Sequence, residues 1–102
     1  MDREQVARKN HRSGYNCASA VYSTFYDRVN GTATMPRSEG GKCGAVLSAE
    51  KVLSQLGKST VAFDDKFIEL FGSLKCAELR RAKHPCNDLV GTAARLAEEM
   101  AG

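Results

Sequence analysis

Tryptophan is absent from the 102 residues, only two prolines interrupt them, and no apolar run approaches the roughly 20 residues that span a bilayer. The last absence predicts a chain that does not insert into a membrane. The opening Met1-Asp2-Arg3-Glu4-Gln5 has no apolar core and no small-residue cleavage site, so it does not read as a signal peptide and a cytoplasmic setting is expected. Strand signals are poor, because nothing alternates apolar and polar over a useful length and β-branched residues do not cluster. G-x-S-x-G, P-loop and dinucleotide-binding glycine patterns are missing, which removes support for hydrolase, nucleotide and Rossmann readings. Charge of one sign is missing too: 15 basic against 12 acidic residues leave +3. The basic residues are scattered, with Arg3, Arg8, Lys9 and Arg12 near the start and Arg80, Arg81 and Lys83 near the end, and they read as solvated helix faces. The few aromatics are not interleaved with them as single-strand binding requires, so no nucleic-acid partner is expected.

What is present is an ordinary folded composition, 42% hydrophobic and 26% charged. The length fits a single domain over residues 1–102, with a core shallow enough that cross-links or a bound metal would matter. Apolar residues recur at three and four, which predicts an all-α bundle of five to six helices. A polar, weakly packed first helix covers residues 2–12 and ends at Ser13-Gly14. Asn16 caps a second, from Cys17 to about Val29, with Cys17, Ala18, Val21, Tyr22, Phe25 and Val29 inward. Gly-rich breaks and Pro36 make residues 30–42 a loop. A third helix runs from about Cys43 to Leu56, stopped by Gly57. Asp64 and Asp65 open a fourth, through Phe71, with Phe67, Ile68 and Phe71 on its apolar side. A fifth spans Cys76 to about Lys83, stopped by Pro85. The last runs from about Cys86 to Met100 on a stripe of Leu89, Ala93, Leu96, Ala97 and Met100.

Four cysteines in a short cytosolic chain read better as metal ligands or working redox thiols than as structural staples. Each follows a helix breaker: Gly14 before Cys17, Gly41 before Cys43, Gly72 before Cys76, and Pro85 before Cys86. Each is therefore expected in the first turn of a helix, where unpaired backbone N–H groups carry positive partial charge and stabilise a thiolate. If those starts converge, the pocket suits an anionic guest: four thiolates around zinc, an iron–sulfur cluster, or pairs cycling between dithiol and disulfide. Steps of 26, 33 and 10 residues contain no CxxC, which removes the zinc-ribbon and thioredoxin patterns and differs from common ferredoxin spacings. Four cysteines allow three disulfide pairings, and spacing does not choose among them.

The segments Gly14-Tyr15-Asn16-Cys17-Ala18, Cys43-Gly44-Ala45-Val46, Phe67, Phe71-Gly72-Ser73 with Cys76 and Glu78-Leu79, and Cys86 with Leu89-Val90 and Ala93-Ala94 resemble the redox-active C_GCAxxG_C_C family. The resemblance covers about residues 14 to 94 and includes all four cysteines. It implies a small helical domain with a redox role, with Cys17, Cys43, Cys76 and Cys86 as the functional set and Gly44 and Gly72 as positions of close backbone approach. The chain has Ser48 where the family has glycine, and a broken stretch at 30–42 where the family carries a helix.

His84, two residues before Cys86, could serve as a further ligand or proton donor, though a solvent-facing loop histidine is the simpler reading. His11 is expected to be exposed and Tyr15 to pack over the site; Asp64-Asp65 could form a paired-carboxylate site, though helix-start acids are the simpler reading. The combined reading is a redox-active protein that uses Cys17, Cys43, Cys76 and Cys86 for electron transfer. They would act as ligands of a [2Fe–2S] cluster or as a dithiol–disulfide couple, with an unidentified redox protein as partner. The second reading is a non-catalytic zinc-binding or structural module on the same sulfurs. The third is an interaction domain whose cysteines are small buried hydrophobes. No general base, oxyanion site or substrate pocket is legible, so enzymatic activity stays open. Small redox domains often form homodimers, though no residue argues for one.

Overall fold

Helices account for most of the described residues in the computed structural model, which describes residues 2–28, 38, 39 and 41–101. Six α-helices are found among these residues: α1 (Arg3–Arg12), α2 (Cys17–Tyr22), α3 (Gly44–Gln55), α4 (Val61–Phe71), α5 (Cys76–Arg81) and α6 (Cys86–Ala101). The all-α class predicted from periodicity holds. None of these helices is long and apolar enough to cross a membrane.

The longest helix, α6, is the hub, and it packs against α1, α2, α3 and α4. Its stripe carries the burden as expected: Leu89, Ala93, Leu96 and Ala97 are buried, and small residues Gly91 and Ala94 widen the buried face so that several neighbours fit around it. Val21 and Phe25, Val46, Val52 and Leu53 of α3, and Phe63 and Phe67 of α4 complete one continuous core. Each such aliphatic or aromatic side chain contributes about 1.5–3 kcal/mol on burial.

Three sequence expectations change. First, α1 is not weakly packed. Arg3 is only 6% exposed; its guanidinium donates to Asp27 at 2.8 and 3.0 Å and to the Thr24 carbonyl, and lies 4.7 Å from the centre of the Phe25 ring. Its Nε sits 2.9 Å from Glu98 as a charge contact outside hydrogen-bond alignment. Arg8 reaches Glu4 at 3.0 Å and Asp88 at 2.9 Å, which ties α1 to the start of α6. That approach needs Gly91, where an added Cβ would lie 2.3 Å from the Arg8 Nε.

Second, α2 stops at Tyr22 and tightens into a 3-10 turn at Ser23–Phe25. Buried Thr24 donates its hydroxyl to the Val21 carbonyl at 2.8 Å, the local side-chain bond by which Ser and Thr compete with α-helix continuation. Val29, residues 30–37 and Gly40 of the expected loop lie outside the described residues. The rest of that loop holds a short antiparallel pair, β1 (Ser38–Glu39) with β2 (Lys42–Cys43), turned through Gly41 at φ +82°.

Third, α4 begins three residues early, and its buried stripe is Phe63, Phe67 and half-buried Phe71, while Ile68 is 43% exposed. Residues four apart stand above one another, whereas Ile68 is rotated about 100° from Phe67. Phe63 stacks on Phe67 at 5.7 Å between ring centres, Phe67 and Phe71 meet tilted at 4.8 Å, and Phe71 and His84 make a T-shaped contact at 5.0 Å.

Candidate functional site

Every cysteine stands at a helix start. Cys17, Cys76 and Cys86 are the first residues of α2, α5 and α6, and Cys43 is the N-cap of α3 with extended backbone (φ −61°, ψ 139°). Local chemistry explains the placement. Asn16 caps α2 by accepting from the Ser19 N–H at 2.8 Å. Gly72 closes α4 in the left-handed conformation (φ +88°) and frees the chain to turn toward Cys76. Lys83, also left-handed at φ 63°, ends α5 and brings His84 and Pro85 round to the start of α6.

Cys43 and Cys76, 33 residues apart in sequence, meet through a ribbon that the sequence conceals. The Cys43 N–H donates to the Leu74 carbonyl and the Cys76 N–H to the Gly41 carbonyl, both at 2.9 Å, around an antiparallel bridge of Lys42 with Lys75. Alternation along an extended segment puts Lys42 and Lys75 on one face of the ribbon and Cys43 and Cys76 together on the other. On the outer face Lys42 pairs with Glu50 at 3.2 Å.

All four cysteines line one cavity of about 570 Å³. Cys43 is buried, Cys17 and Cys76 are half-buried, and Cys86 is exposed at the rim. All four are free thiols. Shared walls do not make a ligand set: among the described residues, no group of three or more His, Cys, Asp or Glu side chains is placed to hold a metal ion. Cys17 and Cys43 are hydrogen-bonded to each other through their side chains. Cys76 is near enough to act on Cys43 through its charge.

The two bonded thiols are driven apart electrostatically. Cys17 is pulled from 9.0 down to about 6, chiefly by the hydrogen bond that Cys43 donates to it. Partial burial opposes this, and the backbone N–H groups of Gly44, Ala45 and Ala18 add to it. Gly44 and Ala45 open α3 and Ala18 sits in the first turn of α2, so unpaired N–H groups of two helices converge on one sulfur. Cys43 moves the opposite way, pushed up first by the hydrogen bond it must keep its proton to make, then by burial and by the Cys17 and Cys76 charges. The pair is poised as one thiolate and one thiol.

Other candidates are revised. His84 is not a solvent-facing loop residue; it is half-buried, edges onto Phe71 and lines the cavity. His11 is also half-buried against the cavity, with its Nδ1 3.4 Å from the Asn87 amide nitrogen. Tyr15 lines the cavity mouth and stays 46% exposed. Asp64 pairs with Glu50 of α3, not with Asp65: burial, then Glu50, pushes Asp64 up to about 7. Its Oδ1 is buried without a hydrogen-bond partner, a gap that a proton shared with Glu50 would close. Arg80, read as part of a solvated basic run, is a cavity residue that sequence reasoning missed. Its position four residues after Cys76 on the same short helix was the available signal.

Comparison of the chain with protein-family models, with curated proteins and with solved structures finds no match.

Proposed function

We propose that this protein is a thiol–disulfide redox protein in which Cys17 is the attacking thiolate and Cys43 the resolving thiol. The observation that carries the reading is the Cys17 sulfur itself, held by the Cys43 thiol and three backbone N–H groups inside a cavity. A thiol with a pKa of about 6 is about nine-tenths thiolate at neutral pH, and the thiolate is the nucleophile.

The step balances with a disulfide R–S–S–R as oxidant. The Cys17 thiolate attacks one sulfur, forms a Cys17–S–S–R mixed disulfide and releases R–S⁻. The charge that held the proton on Cys43 is then gone, so the main cause of its raised pKa disappears at the moment it is needed. Cys43 gives its proton to solvent, attacks the Cys17 sulfur and releases the second R–S⁻. Two electrons pass from the protein dithiol to R–S–S–R, and the Cys17–Cys43 disulfide remains. The reverse sequence reduces the protein. Cys76, beside Cys43 on the ribbon, stands where it can exchange with that disulfide in turn.

Membership in the C_GCAxxG_C_C family and a cytoplasmic setting, where thiols are kept reduced, belong to the same proposal. The second reading keeps a [2Fe–2S] cluster or zinc on Cys17, Cys43, Cys76 and Cys86; among the described residues no group of three or more His, Cys, Asp or Glu side chains is placed to hold a metal ion. The test is an absorption spectrum, metal analysis and thiol count on one sample purified without oxygen. A colourless, metal-free protein with four titratable thiols, two of which disappear on mild oxidation, is the expected result. Stoichiometric iron with visible bands, or stoichiometric zinc, would replace the thiol couple with the metal reading.

A further inference from the structure

Resting on the thiol-couple reading, we infer that the cavity takes a small disulfide bearing carboxylates, oriented by Arg80. Cys43 is only 3% exposed, so a substrate sulfur reaches the pair by entering the cavity. At about 570 Å³ the cavity falls within the roughly 300–1,000 Å³ typical of small-molecule sites. Its wall supplies apolar surface from Leu79 and Leu89 and the ring of Tyr15, enough to cover a short carbon chain.

Apart from the Cys17 thiolate, the fixed charge of that wall is positive. Among the described residues no Asp or Glu lines the cavity, while Arg80 does. Arg80 makes no ion pair among the described residues, whereas Arg3, Arg8 and Arg95 all do. Glu78, the one acid on α5, is turned to Ser73, whose hydroxyl it accepts at 2.6 Å. A guanidinium is charged at every working pH and presents a fork of donors that fits a carboxylate. Arg80 is thus a cation without an ion pair among the described residues that lines the same cavity as the thiol pair, where it can meet a carboxylate on an entering disulfide.

The experiment oxidises reduced protein with dithiodiglycolate, which carries two carboxylates, and with cystamine, which carries two ammonium groups. Rates are divided by those of a free thiol of similar pKa under the same conditions. Wild type should favour dithiodiglycolate over cystamine by roughly tenfold at low salt, and the preference should shrink as salt rises. R80Q should lose most of it, and R81Q, at an exposed neighbour that does not line the cavity, should retain it. Equal corrected rates in wild type, or the same loss in R81Q as in R80Q, would overturn the inference while leaving the couple intact, because the Cys17–Cys43 disulfide would still form. If neither reagent forms that disulfide, the underlying reading itself fails. Thermal melts of both variants confirm that the fold is retained.

Discussion

Replacing Cys43 with alanine takes away the largest single support of the Cys17 thiolate and leaves the backbone donors of Gly44, Ala45 and Ala18 in place. A hydrogen bond to a charged group contributes about 1.5–3 kcal/mol, and Cys17 is half-buried, so solvent screening puts the loss near the lower end. That raises the Cys17 pKa by roughly one pH unit above its starting value of about 6. The assay is the rate of iodoacetamide alkylation at Cys17 across pH, read peptide by peptide by mass spectrometry. Two features of the profile should move together. The midpoint rises by about one pH unit, and the high-pH plateau rises about threefold, because a more basic thiolate is intrinsically more nucleophilic. C43S keeps a donor at the same place and should hold the midpoint near that of the wild type. A C43A midpoint that stays put or falls would refute the argument that Cys43 donates to Cys17, and with it the division into thiolate and thiol.

Three further outcomes follow from the same geometry. Arg3→Ala leaves Asp27 and Glu98 without their cation and should cost about 2 kcal/mol by denaturant unfolding, below the fully buried case because those carboxylates are 42% and 41% exposed. Asp64 has its folded pKa raised to about 7 against 3.8, so its contribution is whole below about pH 4 and lost as pH rises through 7. Asp64→Asn should therefore gain on wild type between about pH 5 and pH 8, by ~1 kcal/mol after allowance for solvent, or roughly 4–8 °C in Tm; a gain that does not grow with pH would contradict the Asp64–Glu50 pair. Ser48 is fully buried with its hydroxyl unpartnered, so Ser48→Ala should raise stability by about 0.5–1 kcal/mol in thermal melts.

The helix starts were legible because Gly14, Gly41, Gly72 and Pro85 punctuate the chain regardless of tertiary context. The stripes of α3 and α6 were legible because they are long and regularly apolar. What brings Cys43 to Cys76 was not, since a two-residue strand is too short to show alternation and its partner is an isolated bridge. The α4 face was misassigned for a related reason: Ile68 and Phe63 are both apolar, and only the docked helix decides which points inward. Arg3 and Arg8 read as solvated because a charged residue on a polar helix carries no mark of the carboxylates that will meet it from elsewhere in the chain, as Asp27, Glu98 and Asp88 do. Asp64 was seen beside Asp65 in sequence, but helix packing paired it with Glu50 instead.

The most direct test of the thiol couple is to titrate reduced protein with one equivalent of a neutral disulfide, block the remaining thiols, and map the bridges by digestion without reductant. The account predicts one linkage, Cys17 to Cys43, with Cys76 and Cys86 recovered as blocked thiols. Cys17 and Cys43 both recovered as thiols, or Cys17 bridged to Cys86 in their place, would contradict it.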